Sequence, residues 1–231
     1  MKKLLLFAFS FSLILSISGA DFTKDGRPSY EYLKSVTVVI KGVGFKKIKG
    51  GSSVSYKQQK WLGTGVIIKK SSTVTYILTN THVVHKPKLQ FVQITVEANI
   101  SGKRTQLAAT VVKIHPTQEL AIIKLDGDLF DKRAIKGVAN VNIQEKVYLV
   151  GHHLGRRFIY GEGVFAGYDE ESGLIQVPIL FGDSGSGVFN SKGKLVSLVY
   201  AINSVGFGFD CSYGLVVDSY YVKDFIKKYI N

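Results

Sequence analysis

The sequence predicts an all-β fold, a sandwich or barrel built as two six-stranded units, with one α-helix at the C-terminus. Short runs of period 2, rich in Val, Ile, Tyr and Phe, dominate the chain, and turn residues such as Ser191-Lys192-Gly193 separate them. About 110 residues lie on each side of a turn-like stretch, Asp126–Gly137. The alternation of strands with long helical stretches that marks βαβ units is missing. No period of roughly 20–50 residues repeats.

The first twenty residues read as an address. Lys2 and Lys3 precede a run of 15 apolar and hydroxyl residues, Leu4 to Ser18, which ends in the small residues Ser18-Gly19-Ala20. A charged start, an apolar centre and a small-residue cleavage site are the parts of a secretory leader. The run is short of the ~20 residues that cross a bilayer; an uncleaved anchor is the alternative reading. No later stretch of the sequence has the length and apolarity to span a membrane. An exported protein, periplasmic or secreted, cleaved near Ala20, is therefore expected.

Candidate strands follow in order: Val36–Ile40, Gly65–Lys69, Thr73–Leu78, Phe91–Glu97, Gln106–Ile114 and Leu120–Leu125 before the central turn. After it come Lys146–Val150, Ile159–Gly167, Leu174–Val177, Gly187–Phe189, Leu195–Ile202 and Tyr213–Val217. From Ser219 as N-cap, Val222, Phe225, Ile226 and Tyr229 share one face of a helix. The expected division is 1–20 leader, 21–135 first unit, and 136–231 second unit with the helix.

Composition excludes several classes. With 45% hydrophobic and 12% aromatic residues, the chain has the material for a core and is not disordered throughout. A single cysteine, Cys211, cannot form an intrachain disulfide, and no Cys/His cluster has zinc spacing, so a disulfide-stapled scaffold and a structural zinc domain are excluded; the chemistry read below calls for neither metal nor cofactor. The chain has 30 Lys/Arg against 17 Asp/Glu, and without the leader 28 against 17. These cations come as scattered pairs such as Lys46-Lys47 and Arg156-Arg157, the pattern of a solvated face. No concentrated stripe or aromatic-interleaved motif predicts a specific nucleic-acid partner. The surplus can still draw anionic partners or acidic substrates by long-range attraction.

Three segments carry chemistry. In Gly182-Asp183-Ser184-Gly185-Ser186-Gly187, glycines flank a serine. A tight turn of that kind can present a hydroxyl beside backbone N–H groups aimed at a developing oxyanion. An ordinary glycine-rich hairpin turn is the plainer alternative. A nucleophile elbow fails because position 186 is Ser, not Gly, and a phosphate loop fails for want of Gly-Lys-Ser/Thr. In Thr79-Asn80-Thr81-His82-Val83-Val84, His82 stands at a strand end where a neutral imidazole can take a serine proton and return it to a leaving amine. Surface or merely hydrogen-bonded histidine is the plainer reading there, and the default for His85, His115, His152 and His153; the pair 152–153 reads as loop. In Glu119-Leu120-Ala121-Ile122-Ile123-Lys124, a carboxylate just ahead of an apolar strand can accept a hydrogen bond from imidazole and fix its tautomer.

Together these segments resemble the chymotrypsin-like (trypsin-fold) serine peptidases, most of all the bacterial Deg/HtrA-type protease domain. The order His, acid, Ser is that of chymotrypsin-like enzymes. Two further stretches match: Val147-Tyr148-Leu149-Val150-Gly151 with Gly163-Val164-Phe165-Ala166-Gly167, and Gly193-Lys194-Leu195-Val196-Ser197-Leu198. The resemblance covers about Trp61 to Asn203. It implies two six-stranded antiparallel β-barrels with the active site between them. The first barrel would carry His82 and Glu119, the second Ser184. It further implies Ser184 as nucleophile, His82 as general base and Glu119 as orienting acid. The N–H groups of Gly182 and Ser184 would form the oxyanion hole, and Leu198, Val199 and Tyr200 would contact substrate. The expected partner is a protein or peptide substrate.

The chain departs from the family at several positions. Glu119 stands where the family has Asp; the extra methylene displaces the carboxylate by roughly 1.5 Å, and ~1 Å misplacements can cost on the order of 100-fold. Asp126 is the nearest alternative acid. Ser186 replaces a glycine, tolerable unless φ there is positive. No Ile-Val-Gly-Gly-like sequence follows the leader to supply an amino terminus for Asp183, and after residue 217 only the helix is read, with no PDZ module. Position 178 is Pro where Lys/Arg-cleaving members carry Asp, which favours an apolar or small residue before the scissile bond. The expected function is an exported serine endopeptidase. The alternative is a weak or inactive pseudo-protease that binds a peptide or an anionic partner.

Overall fold

The computed structural model describes residues 20–50, 53–100, 103–129, 131–202 and 213–230. The leader, apart from Ala20, and Cys211 lie outside the described residues. Six strands, β1 (Thr37–Gly50), β2 (Ser53–Lys70), β3 (Val74–Thr79), β4 (Gln90–Ile100), β5 (Lys103–Ile114) and β6 (Ala121–Asp126), close a barrel in the order β1-β2-β3-β6-β5-β4. Six more close a second: β7 (Lys146–Gly151), β8 (Ile159–Asp169), β9 (Ser172–Gln176), β10 (Gly187–Asn190), β11 (Leu195–Ile202) and β12 (Gly214–Val217), in the order β10-β11-β12-β9-β8-β7. All pairings within the barrels are antiparallel. This is the chymotrypsin-like double barrel, and every strand expected from the sequence falls in it.

β1 and β2 run well past their expected ends. They pair from Thr37↔Val66 to Gly50↔Ser53. The outer part, residues 46–50 and 53–60, is exposed. There the ribbon is held by its backbone ladder, and an apolar alternation that would announce it is missing.

Among the described residues, three α-helices complete the fold: α1 (Tyr30–Val36), α2 (Thr81–Val84) and α3 (Ser219–Ile230). Neither α1 nor α2 was expected. In α1 the Ser29 hydroxyl caps the first turn by accepting from Tyr32 N at 3.1 Å, and Tyr32, Leu33 and Val36 are buried. Seven residues are too few for a helical period to stand out. α3 has the expected apolar face, but its cap is Asp218, whose carboxylate accepts from Tyr220 N at 2.7 Å; Ser219 lies inside the first turn.

Each barrel has its own apolar interior, around Ile40, Ile77 and Ile123 in the first and Leu149, Phe165 and Val188 in the second. A further core joins them. It gathers Leu33 of α1, Val66 and Ile122 of the first barrel, Phe189 and Leu198 of the second, and Phe225 of α3. Burying apolar area here, at ~25 cal/mol per Å², fixes one barrel against the other. Phe225→Ala should cost about 3–5 kcal/mol, the range for a truncated core aromatic. Urea unfolding followed by circular dichroism measures it, and a loss under ~1 kcal/mol would contradict this placement.

Candidate active site

Ser184 sits in the loop between β9 and β10, and the residue before it holds that loop in shape. Asp183 is fully buried, and burial pushes its carboxyl pKa up while its donors pull it back. One oxygen accepts from His152 N at 3.0 Å, the other from Leu180 N at 2.9 Å, and His153 Nδ1 lies 2.6–2.7 Å from both. Asp183 therefore has a partner after all, and it is a histidine. A buried carboxylate left without such donors would be strongly unfavourable.

Gly182 has φ +104°, and a Cβ there would lie 2.2 Å from the His152 carbonyl oxygen, so only glycine fits. Ser186 is absent from the positive-φ residues, which is why a side chain is tolerated at that position. Among the described residues, no acceptor takes the N–H groups of Gly182 and Ser184.

From the first barrel, Thr64 of β2 grips the same loop. Its N–H donates to Ser184 O and its hydroxyl to Gly182 O, both at 2.8 Å, while His152 Nδ1 lies 2.8 Å from the hydroxyl. With the hydroxyl proton on Gly182 O, Thr64 Oγ1 accepts from His152, which is then neutral with its proton on Nδ1. His152 is fully buried, its ring edge against Phe158 and its Nε2 without a partner; burial, and secondarily the charges of Lys132 and Arg157, lower its pKa to about 3. His152 and His153, read from sequence as loop, are thus both part of the serine loop's support. The signal that could have found them is the polar pair directly after an apolar strand ending in Gly151.

His82 lies in the single turn α2. Its Nδ1 is 2.9 Å from Glu119 Oε2, which also accepts from His82 N at 3.1 Å. The longer side chain thus reaches both donors. These bonds, the ring's first, draw the Glu119 pKa down against the desolvation that raises it. The pair is partly open to water, with 38% and 36% of the side chains exposed, so solvent screens it. Asn80 Nδ2 donates to Glu119 O at 2.7 Å, and His115 Nδ1 accepts from Thr117 N and Gln118 N at 3.2 and 3.0 Å, closing the turn that presents the acid. Asp126 stands at the other end of β6, opposite Val74, exposed and paired with Lys124.

His82 and Ser184 line one cleft of about 450 Å³, whose remaining wall is Ile179–Phe181 and Val199–Ile202. Among the described residues their side chains make no hydrogen bond to each other, a looseness common before substrate binds. Val199 and Tyr200 stand on the wall as expected, joined by Ala201 and Ile202. Leu198 does not: it is fully buried in the core between the barrels. A register shift between Val199 and Ala201 breaks the strict alternation, so that successive residues of β11 border the cleft. No group of side chains that could hold a metal ion occurs among the described residues.

Residues 63–198 match the family model of the trypsin-like peptidase domain. The chain belongs to this family. Among curated trypsin-like relatives, "Serine protease HtrA-like" proteins of Staphylococcus aureus strains USA300 and NCTC 8325 are each 27% identical over 166 residues, 62% of this chain. The chain spans about a fifth of the length of those relatives, 20%. Among solved structures, the HtrA-type protease AlgW with decapeptide and a serine-to-alanine variant of it superpose with TM-scores of 0.62 and 0.65, at 18% and 20% identity. They cover 87% and 88% of this chain and 68% of theirs, and at that identity they show the fold alone.

The buried imidazole of this trypsin-like domain gives a pH dependence. Folded His152 takes up its proton only near pH 3, the unfolded chain near 6.5. Between those values the unfolded state binds more protons, so this stability is complete above pH ~6.5 and is lost as pH falls toward 3, by a few kcal/mol in all. His152→Asn, which keeps a donor for Thr64, should flatten the acid limb of stability against pH in urea titrations between about pH 4 and 7. An unchanged slope would show that His152 is protonated in the fold.

Proposed function

We propose that the chain is an exported serine endopeptidase working through an acyl-enzyme. The observation that carries this reading is the single cleft shared by His82, oriented by Glu119, and Ser184, with two unclaimed N–H groups beside the serine. His82 Nε2 takes the Ser184 hydroxyl proton as Oγ bonds to the scissile carbonyl carbon. The carbonyl electron pair moves onto oxygen, where the N–H groups of Gly182 and Ser184 receive it. Collapse expels the amine, which leaves with the proton from His82, and water repeats the sequence to release the acid. Glu119 stays ionised throughout and keeps the imidazole in its Nδ1–H tautomer.

Among the described residues, the wall of Ile179–Phe181 and Val199–Ile202 offers no carboxylate, which supports an apolar side chain before the scissile bond. Export rests on the leader at residues 1–20, removed near Ala20. Residues 21–135 and 136–231 would be the two domains, one bringing His82 and Glu119 and the other Ser184.

A fluorophosphonate should label the wild-type chain and spare Ser184→Ala and His82→Ala. A folded wild type that does not label would leave a peptide-binding trypsin fold instead. Glu119→Gln should lower the rate on the order of 10³–10⁴-fold by removing the charge that holds the tautomer. Glu119→Asp restores the family's residue yet withdraws the carboxylate by ~1.5 Å, and is expected to slow labelling by about 10–100-fold. Faster labelling of that variant would show that the longer acid is a defect.

A further inference from the structure

The positive charge of the chain is not spread evenly. Between residues 37 and 114 lie 13 of its 30 Lys/Arg but one of its 17 Asp/Glu, so the stretch that forms β1 to β5 carries +12 against a formal +13 for the whole chain. That one acid, Glu97, is already held by Lys41 at 3.0 Å and by Arg157 at 2.6 Å.

Part of this charge borders the cleft. A second groove, about 610 Å³, runs between the start of the inner part of β2 (Gln59–Trp61) and the loop after α2 (His85–Leu89). It shares only His82 with the cleft that holds Ser184. Lys46, Lys60, Lys86 and Lys88 line it, no acidic side chain does, and none of the four has an ion pair among the described residues. Its floor is Trp61, laid against Gly42, where a Cβ would meet the ring at 2.0 Å, and tied by Nε1 to Val83 O at 2.8 Å. Lys86 Nζ sits over that ring at 5.4 Å, and lost hydration lowers its pKa while the Glu119 charge raises it. A partly dehydrated cation over an aromatic floor, with three exposed lysines around it, favours an anionic partner.

Position relates the groove to the reaction. Ile179–Phe181 and Val199–Ile202 flank Ser184 on the acyl side. His82 must hand its proton to the departing amine, so the departing half of a substrate passes over His82, where the second groove opens.

We infer that this groove binds acidic side chains of the substrate on the leaving-group side of the scissile bond. The substrate class is a polypeptide with an apolar residue before the cut and Asp or Glu in the residues after it. This assignment rests on the peptidase reading for its orientation, but binding itself can be read without catalysis. Trp61 is the only tryptophan in the chain, so its emission reports occupancy of the groove.

The experiment titrates Ser184→Ala, which cannot turn over, with a decapeptide carrying Val and Ala in its first half and Asp and Glu in its second. A saturable change in Trp61 emission is expected. Affinity should fall at least 5-fold when Asn and Gln replace the acids, when salt rises from about 50 to 200 mM, and in the exposed double variant Lys60→Glu, Lys88→Glu. Circular dichroism checks the fold of that variant, with Lys88→Gln as a milder second. Equal affinity for the acidic and neutral peptides overturns the inference, as does an oligonucleotide that binds as tightly as the acidic peptide. Fluorophosphonate labelling of wild type separates the two readings. Labelling without acidic preference removes the groove assignment alone, whereas acidic binding without labelling removes the peptidase reading alone.

Discussion

Thr64 is the residue on which the site depends. It belongs to the first barrel, yet its N–H and hydroxyl hold two carbonyls of the second barrel's serine loop, Gly182 and Ser184. Its own carbonyl accepts from Thr79 Oγ1 at 2.7 Å, next to the turn that carries His82. One threonine thus measures the spacing between the histidine and the serine. Behind it stands a neutral buried imidazole, which fixes the direction of the hydroxyl proton. The geometry is set by hydrogen bonds whose donors and acceptors lie far apart in sequence, in a largely buried interface where leaving them unmade would be costly.

Burial of charge has a matching logic on the second barrel. Asp183 is a carboxylate taken fully out of water, and two backbone N–H groups and an imidazole N–H compensate it. Those donors come from two separate stretches, Leu180 in the serine loop and His152–His153 after β7. Satisfying one side chain therefore fastens both stretches together, and the peptide that leads into Ser184 inherits the result. Burial that would destabilise a lone carboxylate is used here to specify a backbone path.

Much of the fold was legible because strand formation in this chain is local. Runs rich in Val and Ile, bounded by glycine and polar turns, mark most of the described strands, and the His82, Glu119 and Ser184 segments stand in sequence stretches of their own. What escaped reading depends on distance. His153 meets Asp183 thirty positions later, and Thr64 meets His152 eighty-eight positions later, so the polar pair after Gly151 is visible in the sequence but its partners are not. Leu198 was misplaced because the shift in β11 lies in the pairing with β12, which composition does not reveal. The outer half of the β1–β2 ribbon lacks an apolar face, and α1 is shorter than two helical periods. The concentration of charge in the first barrel was present in the sequence all along, but its meaning required knowing that Lys60 and Lys86 converge on one tryptophan.

The segment joining the barrels is pinned at both ends. Ile135 N donates to Ile67 O in the first barrel, and Ala139 N to Leu195 O in the second, each at 2.9 Å. Between these points Lys136 N donates to Tyr32 Oη, and Lys136 Nζ pairs with Asp21 at 2.8 Å, so the N-terminal segment is sewn over the joint. A connector pinned on both sides and strapped from above is a seam, not a hinge. Opening the two barrels like a clamshell would tear several bonds at once. Ligands of different size must then be accommodated by the short loops at the rim, and substitutions in those loops are where selectivity in this scaffold can be re-engineered without disturbing its chassis.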